Sequence, residues 1–332
     1  MTGKELAKLL GVSEATVSYA LNNKPGVSTE MRNRIKKAAQ EYGIDVPEKP
    51  DYTNKKHTVY LLYYQKGEYN VAQNEFGTEV GSGVELACRR RGYPVHIMHI
   101  RGRNNFQTQV QEISNLDNCG IILFGTELTE EDLPAKESCH VPLVLLDNHF
   151  SSFVCDSVEI SNEDSAFIAT DYLIKKRHEK PGYLMSHIRF ANFEKRLVGF
   201  KRALTINGYS RSAYISHNLT PVVNSAYEEM LEIINSGEPL ASCYFAENDF
   251  IALGAIRALQ EKNYRIPEDV GIIGFDDIFL SQYAQPGLTT VHVPKQYFGI
   301  TAAERLFSLF ERHDQYPVNI QISTNLVVRG SV

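Results

Sequence analysis

The sequence predicts a small all-α head joined by a short linker to an α/β body of two doubly wound parallel-sheet subdomains. Three observations carry the prediction. Apolar residues recur at helical spacing in three short stretches before residue 43. From Val59 onward, short apolar runs alternate with helix-length segments, the pattern of parallel sheets flanked by helices. The 332 residues also exceed one ordinary domain, and so many alternating units are covered more economically by two sheets than by one.

In the head, Thr2-Gly3-Lys4-Glu5 has the form of a capping box, after which Leu6, Leu9 and Leu10 share one helical face until Gly11 ends the helix. Ser13 can cap a second helix over Glu14 to Leu21. Asn22, Asn23, Lys24, Pro25 and Gly26 then form a turn cluster. A third helix follows from Ser28, with Met31, Ile35, Ala38, Ala39 and Tyr42 at helical spacing and Gly43 placed for a left-handed C-cap. A helix, a tight Gly-Val turn and a second helix exposing small polar groups make a helix-turn-helix, whose second helix enters the major groove of DNA. A plain helical bundle in which Ser and Thr only cap and turn has the same periodicity.

Charge follows the same division. The chain carries a net −6, yet residues 1–56 hold ten bases against seven acids, so a +3 head sits on a −9 remainder. Counterion release requires positive charge only where phosphates are touched. Ser13, Thr16, Ser18, Asn22 and Ser28 offer short polar groups suited to phosphate contacts that fix register without reading sequence.

In the body the strand candidates are "VYLLYY", "PVHIMHI", "GIILFG", "PLVLLD", "KPGYLM", "SCYFA" and "VGIIGFD". Between them lie the helical stretches "GVELACRRRG", "DSAFIATDYLIKK", "RLVGFKRALTINGY", "SAYEEMLEIINSG" and "DFIALGAIRALQEKNY". Ligands of such folds sit at the carboxyl ends of the strands, between the subdomains.

Composition excludes several classes of function. The chain lacks an apolar run of about 18 residues, and Lys4, Glu5 and Lys8 occupy the place of a signal peptide's apolar stretch, so a cytoplasmic protein without membrane contact is expected. Five scattered cysteines without a C-x-x-C pair predict reduced, mostly buried thiols and no metal site, because the Cys139-His140 pair lacks further ligands. No catalytic residues and no cofactor are expected. There is no G-x-S-x-G elbow or P-loop lysine, and "GSGVEL" has Leu86 where a dinucleotide fingerprint needs its third glycine. Asp276 and Asp277 are no carboxylate pair, since adjacent strand-end side chains point apart.

The stretch "KELAKLLGVSEATVSYALNNKPGVSTEMRNRIKKAAQEYG" closely resembles the DNA-binding head of the LacI/GalR family of bacterial transcription regulators, through Leu6-Ala7, Gly11-Val12-Ser13, Ala15-Thr16-Val17-Ser18, Leu21-Asn22, Val27-Ser28 and Arg34-Ile35. The resemblance continues through "GVELACRRRGY", "RLVGF", "AENDFIALGAIRAL", "IPEDVGIIGFDD" and "PGLTTV". It implies base reading by Glu14, Ala15, Thr16 and Tyr19, where a carboxylate can accept from cytosine N4 and a methyl can pack on thymine. It also implies a periplasmic-binding-protein-like body with three crossovers. The domains are then residues 1–45, a linker at 46–58, and an effector and dimerisation domain at 59–332, split approximately into 59–158 with 290–319 and 159–289 with 320–332.

The effector residues implied by the resemblance are Asp147, Arg196, Asn248 and Asp276, together with Asn74 and Phe76 of "NEFG", which matches a looser pocket motif. Two carboxylates, a guanidinium and an amide suit vicinal hydroxyls or a polar heterocycle. Relatives usually carry a hinge helix of the form Pro-Asn-x-x-Ala-Arg-x-Leu; here "VPEKPDYTNKKHT" has Pro50 for the alanine and Thr53 for the leucine. A proline inside a short helix costs about 3 kcal/mol, which favours an extended tether with the heads alone binding DNA. The expected protein is a homodimeric repressor on a double-stranded, pseudo-palindromic operator under a small-molecule effector, most simply a sugar. A nucleobase-responsive regulator and a ligand-binding module whose front helices dock a protein are the competing readings.

Overall fold

The computed structural model describes residues 3–21, 26–42, 57–67, 75–133, 139–311 and 316–332. The linker reading, with Pro47, Pro50 and Thr53, lies outside the described residues, as do Thr2, Asn22, Gly43 and Asn74.

Helices α1 (Gly3–Leu10), α2 (Glu14–Leu21) and α3 (Thr29–Glu41) enclose a small core of Leu6, Ala7, Val17, Ala20, Leu21, Ile35, Ala38 and Ala39. Leu9 departs from the expected apolar face: at 53 % exposure it points to solvent, because Leu6, Ala7 and Leu10 set the packed face and Leu9 projects about 100° from its centre. Tyr42 likewise lies past the end of α3 and is exposed.

The body begins with β1 (Thr58–Gln65), α4 (Glu75–Arg91), β2 (Val95–Arg101), α5 (Arg103–Ser114), β3 (Cys119–Phe124), β4 (Leu143–Leu146) and β5 (Asp156–Ile160). The second subdomain follows with α6 (Asn162–Arg177), β6 (Gly182–Ser186), α7 (Ala191–Ile206), β7 (Ser216–Leu219), α8 (Val223–Ser236), β8 (Cys243–Ala246), α9 (Asp249–Glu261), β9 (Gly271–Asp276), α10 (Phe279–Tyr283) and β10 (Thr289–His292). Then α11 (Lys295–Glu311) and β11 (Asn319–Ile322) return to the first subdomain, and β12 (Asn325–Val327) closes the second. The strand orders are β2-β1-β3-β4-β5-β11 and β7-β6-β8-β9-β10-β12. All pairings are parallel except β10 with β12.

Both sheets have the 2-1-3-4-5 order, in which the topological switch point places a ligand at the carboxyl ends of the strands. The chain crosses between sheets near residues 161, 293 and 323, three to four residues later than the expected switches after 158, 289 and 319. The reason is that β5 and β11 run to their ends in the first sheet, and β10 in the second. Close helix crossings account for two glycines in the quoted motifs. A Cβ at Gly83 of α4 lies 2.1 Å from Gln296 O of α11, and one at Gly199 of α7 lies 2.1 Å from Glu163 O of α6.

Candidate DNA-reading head and effector cleft

The local chemistry of α2 follows from Ser13. Its Oγ accepts the Thr16 amide at 3.0 Å and contacts Thr16 Oγ1 at 2.7 Å, which starts the helix and fixes the Thr16 rotamer. Gly11 supplies the turn with φ 68°. Val17, Ala20 and Leu21 anchor α2 to the core. Glu14, Ala15, Ser18 and Tyr19 are exposed and Thr16 is half-buried, so these five occupy the outward side of one helix. Ser28 is exposed and accepts the Met31 amide at 3.3 Å, capping α3. Every described head residue expected at DNA is therefore on a helix start or an outer helical face.

In the body, β4 and β9 deliver two carboxylates to the cleft in left-handed backbone conformations, Asp147 at φ 68° and Asp276 at φ 107°. The Asp147 Oδ2 atom accepts Thr126 Oγ1 at 2.5 Å and, from the other subdomain, Asn192 Nδ2 at 2.9 Å. Its Oδ1 is buried without a hydrogen-bond partner. Burial pushes the Asp147 carboxyl up to about 6 against the opposing pull of Thr126, Asn192 and Arg196.

Arg196, on α7, is pinned on every side. Its Nε donates to Asn162 Oδ1 at 2.9 Å, Nη1 to the Glu247 carbonyl and Nη2 to Asp276 Oδ1 at 3.3 Å, while the guanidinium lies 3.6 Å from the Phe275 ring centroid. Burial raises the Asp276 carboxyl, with Arg196 and then Lys295 opposing. Asn248 caps α9 through its Oδ1, which accepts the Ile251 amide at 3.0 Å, so its Nδ2 donors are the part left for a ligand. Asp277 turns away from Asp276 toward His292 Nδ1 at 2.9 Å and Arg329 Nη2 at 2.7 Å, as adjacent strand-end residues do.

Phe76 is buried in the first subdomain's core, its ring 6.3 Å from that of Phe124.

Two family models match the chain, one described as bacterial regulatory proteins of the lacI family over residues 2–43 and one as a periplasmic binding protein-like domain over residues 170–332. The HTH-type transcriptional repressor PurR of Vibrio atlanticus is 30% identical over 340 residues, covering 100% of this chain and 98% of that protein. The chain belongs to the LacI family of bacterial regulatory proteins. The PurR of Vibrio vulnificus is also 30% identical, over 341 residues, with the same coverage. The transcriptional regulator CelR in complex with cellobiose superimposes with a TM-score of 0.72 at 25% identity over the whole of both chains. The lac repressor dimer bound to operator and the anti-inducer ONPF shares the fold, with a TM-score of 0.72 at 22% identity, covering 100% of this chain and 98% of that one. The chain is thus a DNA-binding transcriptional repressor of the LacI family, and no helix among its described residues is long and apolar enough to cross a membrane.

The repressor's cleft also uses residues that the sequence did not single out. Glu247 is fully buried, accepts Tyr183 Oη at 2.9 Å and takes both of its oxygens to Arg189 Nη1 at 2.8 Å. Asp249, also fully buried, is pushed up to about 7 by burial and by Asp276, and is held by Thr290 Oγ1 at 2.6 Å and Ser281 Oγ at 2.7 Å. Asn192 and Thr126 complete Asp147. A usable signal existed only for Glu247 and Asp249, which flank Asn248 at the end of an apolar strand run; Asn192 and Thr126 stand in unremarkable sequence.

Proposed function

We propose that this repressor reads a pseudo-palindromic double-stranded operator as a homodimer through Glu14, Ala15, Thr16 and Tyr19, with Ser13, Ser18, Asn22 and Ser28 on phosphates. A neutral polyhydroxylated molecule, a carbohydrate, held between the subdomains by Asp147, Arg196, Asn248 and Asp276, controls it. The observation that carries the effector reading is the unpartnered, buried Asp147 Oδ1, an acceptor in need of a donor. Around it, Asp147, Glu247, Asp249 and Asp276 stand beside the cations Arg189, Arg196 and Lys295, each of which already faces a carboxylate. Such a site offers buried carboxylate acceptors to the hydroxyl donors of a neutral ligand. The CelR–cellobiose complex, similar over the full length, agrees with this class. For the dimer, α10 presents Phe279, Leu280 and Tyr283 at 59, 50 and 64 % exposure, an apolar surface of the kind that subunit contacts cover.

The testing experiment is a panel of neutral mono- and disaccharides, including cellobiose, against sugar phosphates and free nucleobases. The readouts are the melting temperature and the affinity for a selected operator. A neutral sugar that raises the first and changes the second is expected. A response confined to nucleobases replaces the sugar with the competing ligand class and contradicts the effector assignment.

A further inference from the structure

Away from the cleft, α7 lines a second concavity. Val198, Lys201, Arg202 and Thr205 recur at i, i+3, i+4 and i+7 on its outer face, and the segment leading into β7 brings Arg211 and Ser212 opposite them. The groove has a volume of about 760 Å³, within the range of about 300–1,000 Å³ of small-molecule sites. A protein partner needs about 800 Å² per side, so the groove suits a small ligand better than a docked chain.

Its lining combines two chemistries. Val198 and Ile206 are 51 and 64 % exposed and give it an apolar wall that no part of the described chain covers. Of its three cations, Arg202 is already held by Glu163 and Asp164 at 2.7 Å each. Lys201 and Arg211 make no ion pair among the described residues, on a body whose net charge is negative. Two cations without counter-charges, beside the Thr205 and Ser212 hydroxyls and an apolar wall, form a recognition pattern for an anion with an apolar body.

We propose that this groove binds a phosphomonoester carrying an aryl or alkyl group, with the phosphate between Lys201 and Arg211 and the apolar group against Val198 and Ile206. The site lies on the opposite charge logic from the carboxylate-rich cleft and stands independently of the effector reading.

The test is calorimetric titration of the full chain with phenyl phosphate, with inorganic phosphate and benzyl alcohol as half-ligand probes. One site per chain is expected, with phenyl phosphate bound about tenfold tighter than either half-ligand. The Lys201→Ala/Arg211→Ala variant, folded as judged by an unchanged melting temperature, weakens it about tenfold. Ile206→Ser weakens phenyl phosphate but not inorganic phosphate. Asp147→Asn leaves all three titrations unchanged, which separates this site from the cleft. Equal binding of inorganic phosphate and phenyl phosphate, indifference to the double variant, or loss on Asp147→Asn each overturns the proposal.

Discussion

Asp147 joins a strained backbone, a raised carboxyl and an unmet hydrogen bond in one residue. With its carboxyl pushed up to about 6, and that of Asp249 to about 7, the folded effector-free chain holds protons that the unfolded chain has released near 4. The stability contributed by these two carboxyls therefore falls as pH rises from about 4 to about 7, while His57 and His217, whose pKa burial lowers, act in the opposite sense. Asparagine tolerates the left-handed conformation and keeps an acceptor for Thr126 and Asn192. Asp147→Asn is thus expected to remove the Asp147 share of that slope, leaving that of Asp249, and to stabilise the free protein at pH 7.5 by up to about 3 kcal/mol, while abolishing the effector response. Thermal melts at several pH values check the first part and operator titrations the second. Asp147, Arg196 and Asp276 were legible as residues, whereas their partners were not: Asn192 is 45 positions from Asp147, and Asn162 is 34 from Arg196.

Elements were most readable where apolar residues dominate. All seven strand runs and all five helical stretches quoted from the body are present. Two of the strands that escaped, β5 and β7, bury polar residues. In β5, "DSVEI" buries Asp156 against Arg305 at 2.6 Å and Glu159 against Lys195, partners that lie far away in sequence. In β7, "SHNL" buries His217 against Tyr244 at 3.2 Å. In α5, Phe106, Val110 and Ile113 are buried among polar neighbours, which leaves only a thin apolar stripe to read. Two predictions belong to this scale. Ser13→Ala removes the cap of α2 at a cost of about 1 kcal/mol to the head; operator affinity is expected to fall while effector binding, followed by calorimetry, stays the same. Gly199→Ala forces α6 and α7 apart because its Cβ meets Glu163 O, and about 1–3 kcal/mol of lost stability is expected in denaturant titrations.

At the scale of the molecule, the two subdomains are tied across the cleft by Asn192 to Asp147, Lys195 to Glu159 and the Phe279 amide to Glu75. Each bond is made by groups on opposite walls, so a ligand on Asp147 bears directly on how the walls meet. Control of DNA binding follows if the effector binds the arrangements unequally. The most direct measurement is selection of tight-binding duplexes from a random pool by the intact chain, followed by titration of the selected duplex at two salt concentrations. A pseudo-palindrome with two half-sites, bound by two chains and weakened steeply by salt, is expected; enrichment of no sequence, or binding indifferent to salt, contradicts DNA reading by the head.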